Sequence, residues 1–150
     1  MRDIMTHTDF NIYLLYPTDR DNEANFYRLL RNYTNIGTEI QAYLIDWEKM
    51  DDFPKSKLYV PADHEIFMQC AYLNNLLTKE QISFINCEII KLCDLLVLFG
   101  GYKVPDDSDI TEEVLCAKHK EVPVYTMPDL SPMAIDALKL AIKLILKSRG

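Results

Sequence analysis

Residues 94–101, DLLVLFGG, limit the possible folds more than any other stretch of this chain. Successive apolar residues leave no face to turn to water, and the glycines stop the run at strand length. Such a strand needs cover on both faces, as in a parallel sheet layered with helices. Two further runs share its character: NIYLLY (11–16), halted by Pro17, and VPVYTM (122–127). Between them the spacing turns helical. Ala24, Phe26, Tyr27, Leu30 and Tyr33 predict a helix capped by Asp19 or Asp21 and ended by Gly37. EIQAYLIDW (39–47) reads as a second strand, and 48–61, broken by two prolines, as a loop. Residues 62–93 predict helix divided near 74–78, where Thr78 and Gln81 have capping-box spacing. A short helix over 108–121 follows. A last one over 131–150 has Ser131 as N-cap and Pro132 at the first helical position.

The order β-α-β-α-α-β-α-β-α predicts one α/β domain over 1–150, with residues 1–9 disordered. Its architecture is a Rossmann-like (flavodoxin-like) parallel sheet of about four or five strands, with helices on both faces. In such sheets ligands sit beyond the carboxyl ends of the strands. The loops 16–22, 47–61 and 100–109 are therefore expected to converge on a site.

Composition narrows the partners. A net charge of -7 argues against a nucleic-acid partner and against a basic membrane-surface helix. No apolar run approaches the ~20 residues of a membrane span, and the first ten residues lack a signal-peptide core. Cys70, Cys87, Cys93 and Cys116 form no CxxC pair and read as buried, reduced thiols of a cytoplasmic protein. His7, His64 and His119 show no ligand spacing, so neither a metal nor another cofactor is expected.

Just past the 94–101 run come Asp106, Asp107, Ser108, Asp109, Glu112 and Glu113. Two readings stand side by side. Glu112 and Glu113 suit a helix N-terminus, in a capping box with Ser108 or Asp109. Alternatively, one of these glutamates is a nucleophile or general base in a cleft, partnered by Asp107. Paired carboxylates work when their environments separate their roles.

The segment FINCEIIKLCDLLVLFGGYKVPDDSDITEEVLCAKHKEVPVYTM (84–127) resembles the second half of the nucleoside 2-deoxyribosyltransferase-like superfamily, small bacterial and phage branches included. Cys93 and Asp94 end a helix, an apolar strand follows, and Asp107 begins the loop. Glu113, Ala117 and Val122-Pro123-Val124 fall at matching spacings. IYLLYP (12–17) is similar to the family's IYLAGP, and YVPADHEIF (59–67) to a segment carrying a proline followed by a histidine.

The resemblance implies a glutamate nucleophile, Glu113, that attacks the anomeric carbon of a nucleoside or nucleotide. Asp107 would bind sugar hydroxyls or orient the glutamate. Tyr13, Tyr16 and the loop after Pro17 would line the base and sugar pocket, with Asn86, Gly100, Gly101 and Ser108 also in contact with the substrate, in a homodimer without cofactor. Beside the resemblance, Trp47 at the end of the second strand reads either as half-buried packing or as an aromatic wall for a base, and His64 at a helix start either as a solvated or capping residue or as one that reaches the pocket. The chain departs from the pattern at Tyr16 and Asp109, where the family has small residues or glycine, and at Asn86, where many members have an aspartate. An asparagine donates a hydrogen bond but not a proton. Two other expectations stand beside hydrolysis or transfer at the N-glycosidic bond. One is a non-catalytic protein of the same fold that sequesters or senses a nucleotide derivative. The other is an acidic interaction or inhibitor protein.

Overall fold

The computed structural model describes residues 9–16, 20–50, 53–60, 62–100 and 109–149. Pro17, Gly101, Asp107 and Ser108 lie outside the described residues, as does most of the 1–9 segment. The elements are β1 (Phe10–Leu15), α1 (Glu23–Glu48), β2 (Ser56–Tyr59), α2 (Ala62–Leu73), α3 (Lys79–Ile90), β3 (Leu95–Phe99), α4 (Asp109–His119), β4 (Val124–Met127) and α5 (Pro132–Arg149). The sheet has four strands in the order β2-β1-β3-β4, every pairing parallel. It is the expected α/β, Rossmann-like architecture, with five helices among the described residues. None of these helices is long and apolar enough to cross a membrane.

β1 and β3 lie at the centre, and every residue of both is buried. Alternation divides their side chains between two layers. Phe10, Ile12 and Leu14, with Leu95, Val97 and Phe99, pack under α1 and α5. Tyr13, Leu15, Leu96 and Leu98 pack on the other side with Ile90, Ala117 and Val122. Asp94 ties the two strands at their amino ends. Its carboxylate accepts from the Asn11 amide at 2.7 Å, and its own amide donates to the Asn11 carbonyl at 2.7 Å.

Several sequence expectations are corrected. Residues 39–47 are not a strand but the second half of α1, and Gly37 lies inside that helix. Phe26, Leu30, Tyr33, Gly37, Ile40, Leu44 and Trp47 form one buried stripe spaced alternately four and three residues apart. Gly37 serves close approach rather than termination, because a Cβ there would sit 2.5 Å from Cγ2 of Val60. Asn22, not Asp19 or Asp21, caps the helix by accepting from the Asn25 amide at 3.1 Å. The real second strand, Ser56–Tyr59, lies inside the expected loop; four residues beside Pro54 are too few for a periodic signal. β4 is an edge strand with only Met127 buried, not a fully covered one. Thr78 and Gln81 form the expected capping box, and the Ser131 hydroxyl accepts from the Ala134 amide at 3.3 Å.

The cysteines are also corrected. Cys87 on α3 and Cys116 on α4 form a disulfide, Cys70 is exposed, and only Cys93 is a buried free thiol. Burial pushes the Cys93 thiol up to about 12, with the neighbouring Asp94 charge adding to it. It is therefore an inert apolar side chain at neutral pH.

Candidate functional site

The sheet's winding reverses at its centre: from β1 the chain goes on to β2 on one side, and from β3 to β4 on the other, with all four strands parallel. Parallel sheets open a crevice at such a switch, beyond the carboxyl ends of the strands. A small cavity of about 10 Å³, close to the volume of one water, lies there among Tyr13, Leu15, Tyr16, Arg20, Glu65, Asn86 and Glu113. Four of the residues singled out from sequence (Tyr13, Tyr16, Asn86 and Glu113) thus meet although they come from β1, α3 and α4.

Each arrives for a local reason. Tyr13 projects from β1 on the face opposite Ile12 and Leu14, and Tyr16 directly follows the strand. Asn86 sits one residue before Cys87, and Glu113 three before Cys116, so the disulfide joins the two helices at the level of the cavity. Glu113 is 5% exposed and Asn86 3%, and the Asn86 amide donates to Glu113 Oε1 at 3.4 Å. Gly100 ends β3 with a φ of 111°, a backbone conformation that glycine adopts without strain.

The structure adds a charged layer that the sequence reading missed. Arg20, Glu65 and Gln69 are all buried. Arg20 Nη2 donates to Glu65 Oε2 at 2.6 Å, and Arg20 Nη1 to Gln69 Oε1 at 3.2 Å. Gln69 Nε2 returns a bond to the Arg20 carbonyl at 2.8 Å. His64 joins the site from the same turn of α2. Its Nε2 lies 2.9 Å from Asn86 Oδ1 and 3.3 Å from Glu65 Oε1, and its Nδ1 contacts the Tyr59 hydroxyl. Glu65 and Gln69 stand four residues apart on α2, so one helix face carries both. A glutamate and a glutamine at that spacing inside the apolar helix ADHEIFMQCAYL were the available clue.

Burial alone would make Glu65 a weaker acid and push its carboxyl above the ordinary glutamate range. The His64 hydrogen bond and the Arg20 charge outweigh it and hold the carboxyl below the ordinary glutamate range. Burial pushes the Tyr13 hydroxyl well up, with Glu113 and Glu65 adding to it. The Tyr16 hydroxyl rises for the same first reason, with Glu65 adding and Arg20 opposing. Both tyrosines are neutral hydrogen-bonding groups at physiological pH. The Tyr16 ring stacks on Tyr33 at 4.6 Å, yet among the described residues its buried hydroxyl meets no hydrogen-bond partner.

Trp47 is not brought to the site. Because 39–47 is helical, Trp47 lies in the last turn of α1, packed edge-on against Phe53 at 5.5 Å with Lys139 above its ring. For the same reason 47–61 is not a loop at the carboxyl end of a strand. It contains β2, and α2, which follows β2 in the chain, carries His64 and Glu65 to the site instead. Of the remaining expected contacts, Asp107, Pro17, Gly101 and Ser108 lie outside the described residues.

Comparison of the chain with protein-family models, with curated proteins and with solved structures gave no match.

Proposed function

We propose that the cavity beyond β1 and β3 cleaves, or transfers across, the N-glycosidic bond of a nucleoside or nucleotide, with Glu113 as the nucleophile. The observation that supports this most is the buried Glu113 carboxylate at the strand switch, facing two neutral tyrosines and the Asn86 amide. The resemblance to the nucleoside 2-deoxyribosyltransferase-like superfamily points the same way. Glu113 attacks the anomeric carbon as the carbon–nitrogen bond breaks; the bonding pair leaves with the base nitrogen, which takes a proton from water. The resulting glycosyl ester is resolved by water, which loses a proton and returns the carboxylate, or by a second base. Tyr13 and Tyr16 serve as hydroxyls for the sugar oxygens, and Asp107 is the proposed partner for the sugar. Arg20 is committed to Glu65, so the cavity favours the uncharged glycoside over a phosphate. A dimer through the exposed Met133, Leu140 and Leu144 of α5 belongs to the same reading and is checked by light scattering.

Asn86, which donates a hydrogen bond but no proton where many members of the resembled superfamily have an aspartate, supports a second reading, a protein that binds a nucleotide derivative without turnover. One experiment separates the two. Wild type and Glu113→Gln are incubated with a panel of nucleosides and nucleotides, and free base and melting temperature are measured. Base release abolished by the substitution is the expected result. Release that survives it removes Glu113 as the nucleophile. A raised melting temperature without release supports binding alone, and neither signal ends both readings.

A further inference from the structure

His64 stands in the middle of a directed chain of hydrogen bonds that ends on Glu113. Its Nε2 faces two oxygens, Asn86 Oδ1 at 2.9 Å and Glu65 Oε1 at 3.3 Å. An amide oxygen and a carboxylate oxygen only accept, so Nε2 carries the proton. Nδ1 then takes the Tyr59 hydroxyl. With Oδ1 occupied by the imidazole, Asn86 turns its NH₂ to Glu113, where Nδ2 lies 3.4 Å from Oε1. The reversed amide would set oxygen against carboxylate and NH₂ against an imidazole N–H. Tautomer and amide orientation therefore fix each other.

The surroundings hold this arrangement still. Tyr59 stacks on the imidazole with centroids 5.5 Å apart and 12° between planes, and Tyr13 packs against Tyr59 at 5.5 Å. Arg20 occupies the other oxygen of Glu65 at 2.6 Å, so that carboxylate cannot swing away from His64. We propose that His64 is a positioning residue: through Asn86 it presents a fixed hydrogen-bond donor to Glu113 and sets the rotation of that carboxylate in the cavity. Its effect on turnover rests on the reading of Glu113 as nucleophile; the directed chain itself does not. Outer partners that orient a reactive group in this way are commonly worth about 10–100-fold in activity.

The test has two parts that do not need a substrate and one that does. Two-bond ¹⁵N–¹H correlation on histidine-labelled protein, assigned with His64→Gln, is expected to show neutral His64 protonated at Nε2. A proton on Nδ1 instead overturns the proposal. The side-chain amide protons of Asn86 are expected to exchange with water at least about tenfold faster in His64→Leu and to slow again in His64→Gln, whose amide restores a donor. Equal exchange in wild type and both variants overturns it. With any nucleoside that wild type hydrolyses, His64→Leu is expected to lower kcat about 10–100-fold with KM within about twofold, and His64→Gln to recover most of the loss. An unchanged kcat removes the positioning role. Absence of base release by wild type counts against the nucleophile reading alone, and the two magnetic-resonance measurements then decide the relay.

Discussion

The two faces of the sheet are built by opposite means. Under α1 and α5 the layer is dry: Ile12, Leu14, Ile40, Leu44, Val97, Leu138 and Ile142 are fully buried with no polar partner to satisfy. At the carboxyl end of the sheet, on the side of α2, α3 and α4, the chain instead buries Arg20, Glu65, Gln69, Asn86 and Glu113 and connects them by directed hydrogen bonds. Dispersion and area burial hold the first and tolerate any shape that fills the space. The second is held by pairing, which is worth little when complete and costs much when one member is lost. A fold that needed only stability would have no use for the second arrangement. Its concentration around one cavity is the reason the proposed site is placed at that end.

Paired substitutions are expected to break this contrast most strongly. Arg20→Met leaves Glu65 buried without its guanidinium and is expected to cost about 3–5 kcal/mol in denaturant unfolding. Leu14→Ala, on the dry face, is expected to cost about 2–5 kcal/mol through lost transfer energy and the cavity left behind. The second substitutions behave in opposite ways. Adding Glu65→Met to Arg20→Met recovers most of the loss, because no charge is then stranded. Adding Val97→Ala to Leu14→Ala, residues paired in register across β1 and β3, deepens it. Recovery on both faces, or on neither, would show that the two are held alike.

A smaller effect appears in pH. The folded-state value of Glu65 is held below its unfolded value, so its contribution is present above the ordinary glutamate range. It is lost as pH falls through the depressed folded value. Stability of wild type is therefore expected to fall on acidification below about pH 4, by more than in the Arg20→Met/Glu65→Met variant. Parallel pH profiles for the two proteins contradict that assignment.

The smallest effect, and the most telling about the cavity, is expected from Tyr16→Phe. Its hydroxyl is buried and meets no partner among the described residues, so deleting it should leave stability unchanged or raise it by up to about 1 kcal/mol. A loss above about 1 kcal/mol would mean that the hydroxyl is satisfied in the free protein.

β1, β3, β4 and most helix boundaries were legible because their signals are local. Apolar runs announced β1 and β3, and Thr78-x-x-Gln81 announced α3. The second half of α1 was not, because EIQAYLIDW satisfies a period of two as well as a helical one, and Gly37 looks like a stop. Only the closeness of Val60 shows why a glycine is needed there. The site divides in the same way. Glu113, Asn86, Tyr13 and Tyr16 could be singled out by position past strand ends and by resemblance. Arg20, Glu65 and Gln69 were missed: the four-residue spacing of Glu65 and Gln69 in an apolar helix hints at a buried polar face, but the bonds joining them to Arg20 span 45 and 49 residues. The cysteines failed for an equivalent reason: a separation of 29 residues says nothing until α3 and α4 lie side by side.

The α/β class and the parallel sheet followed from the sequence, because periodicity, caps and apolar runs act over a few residues. Tertiary structure alone decided that residues 39–47 continue a helix and that Ser56–Tyr59 supplies the missing strand. It also decided that Trp47 belongs to the core and that His64 reaches Glu113 through Asn86. Those outcomes depend on which distant groups share a desolvated space, and desolvation is a property of the packed chain.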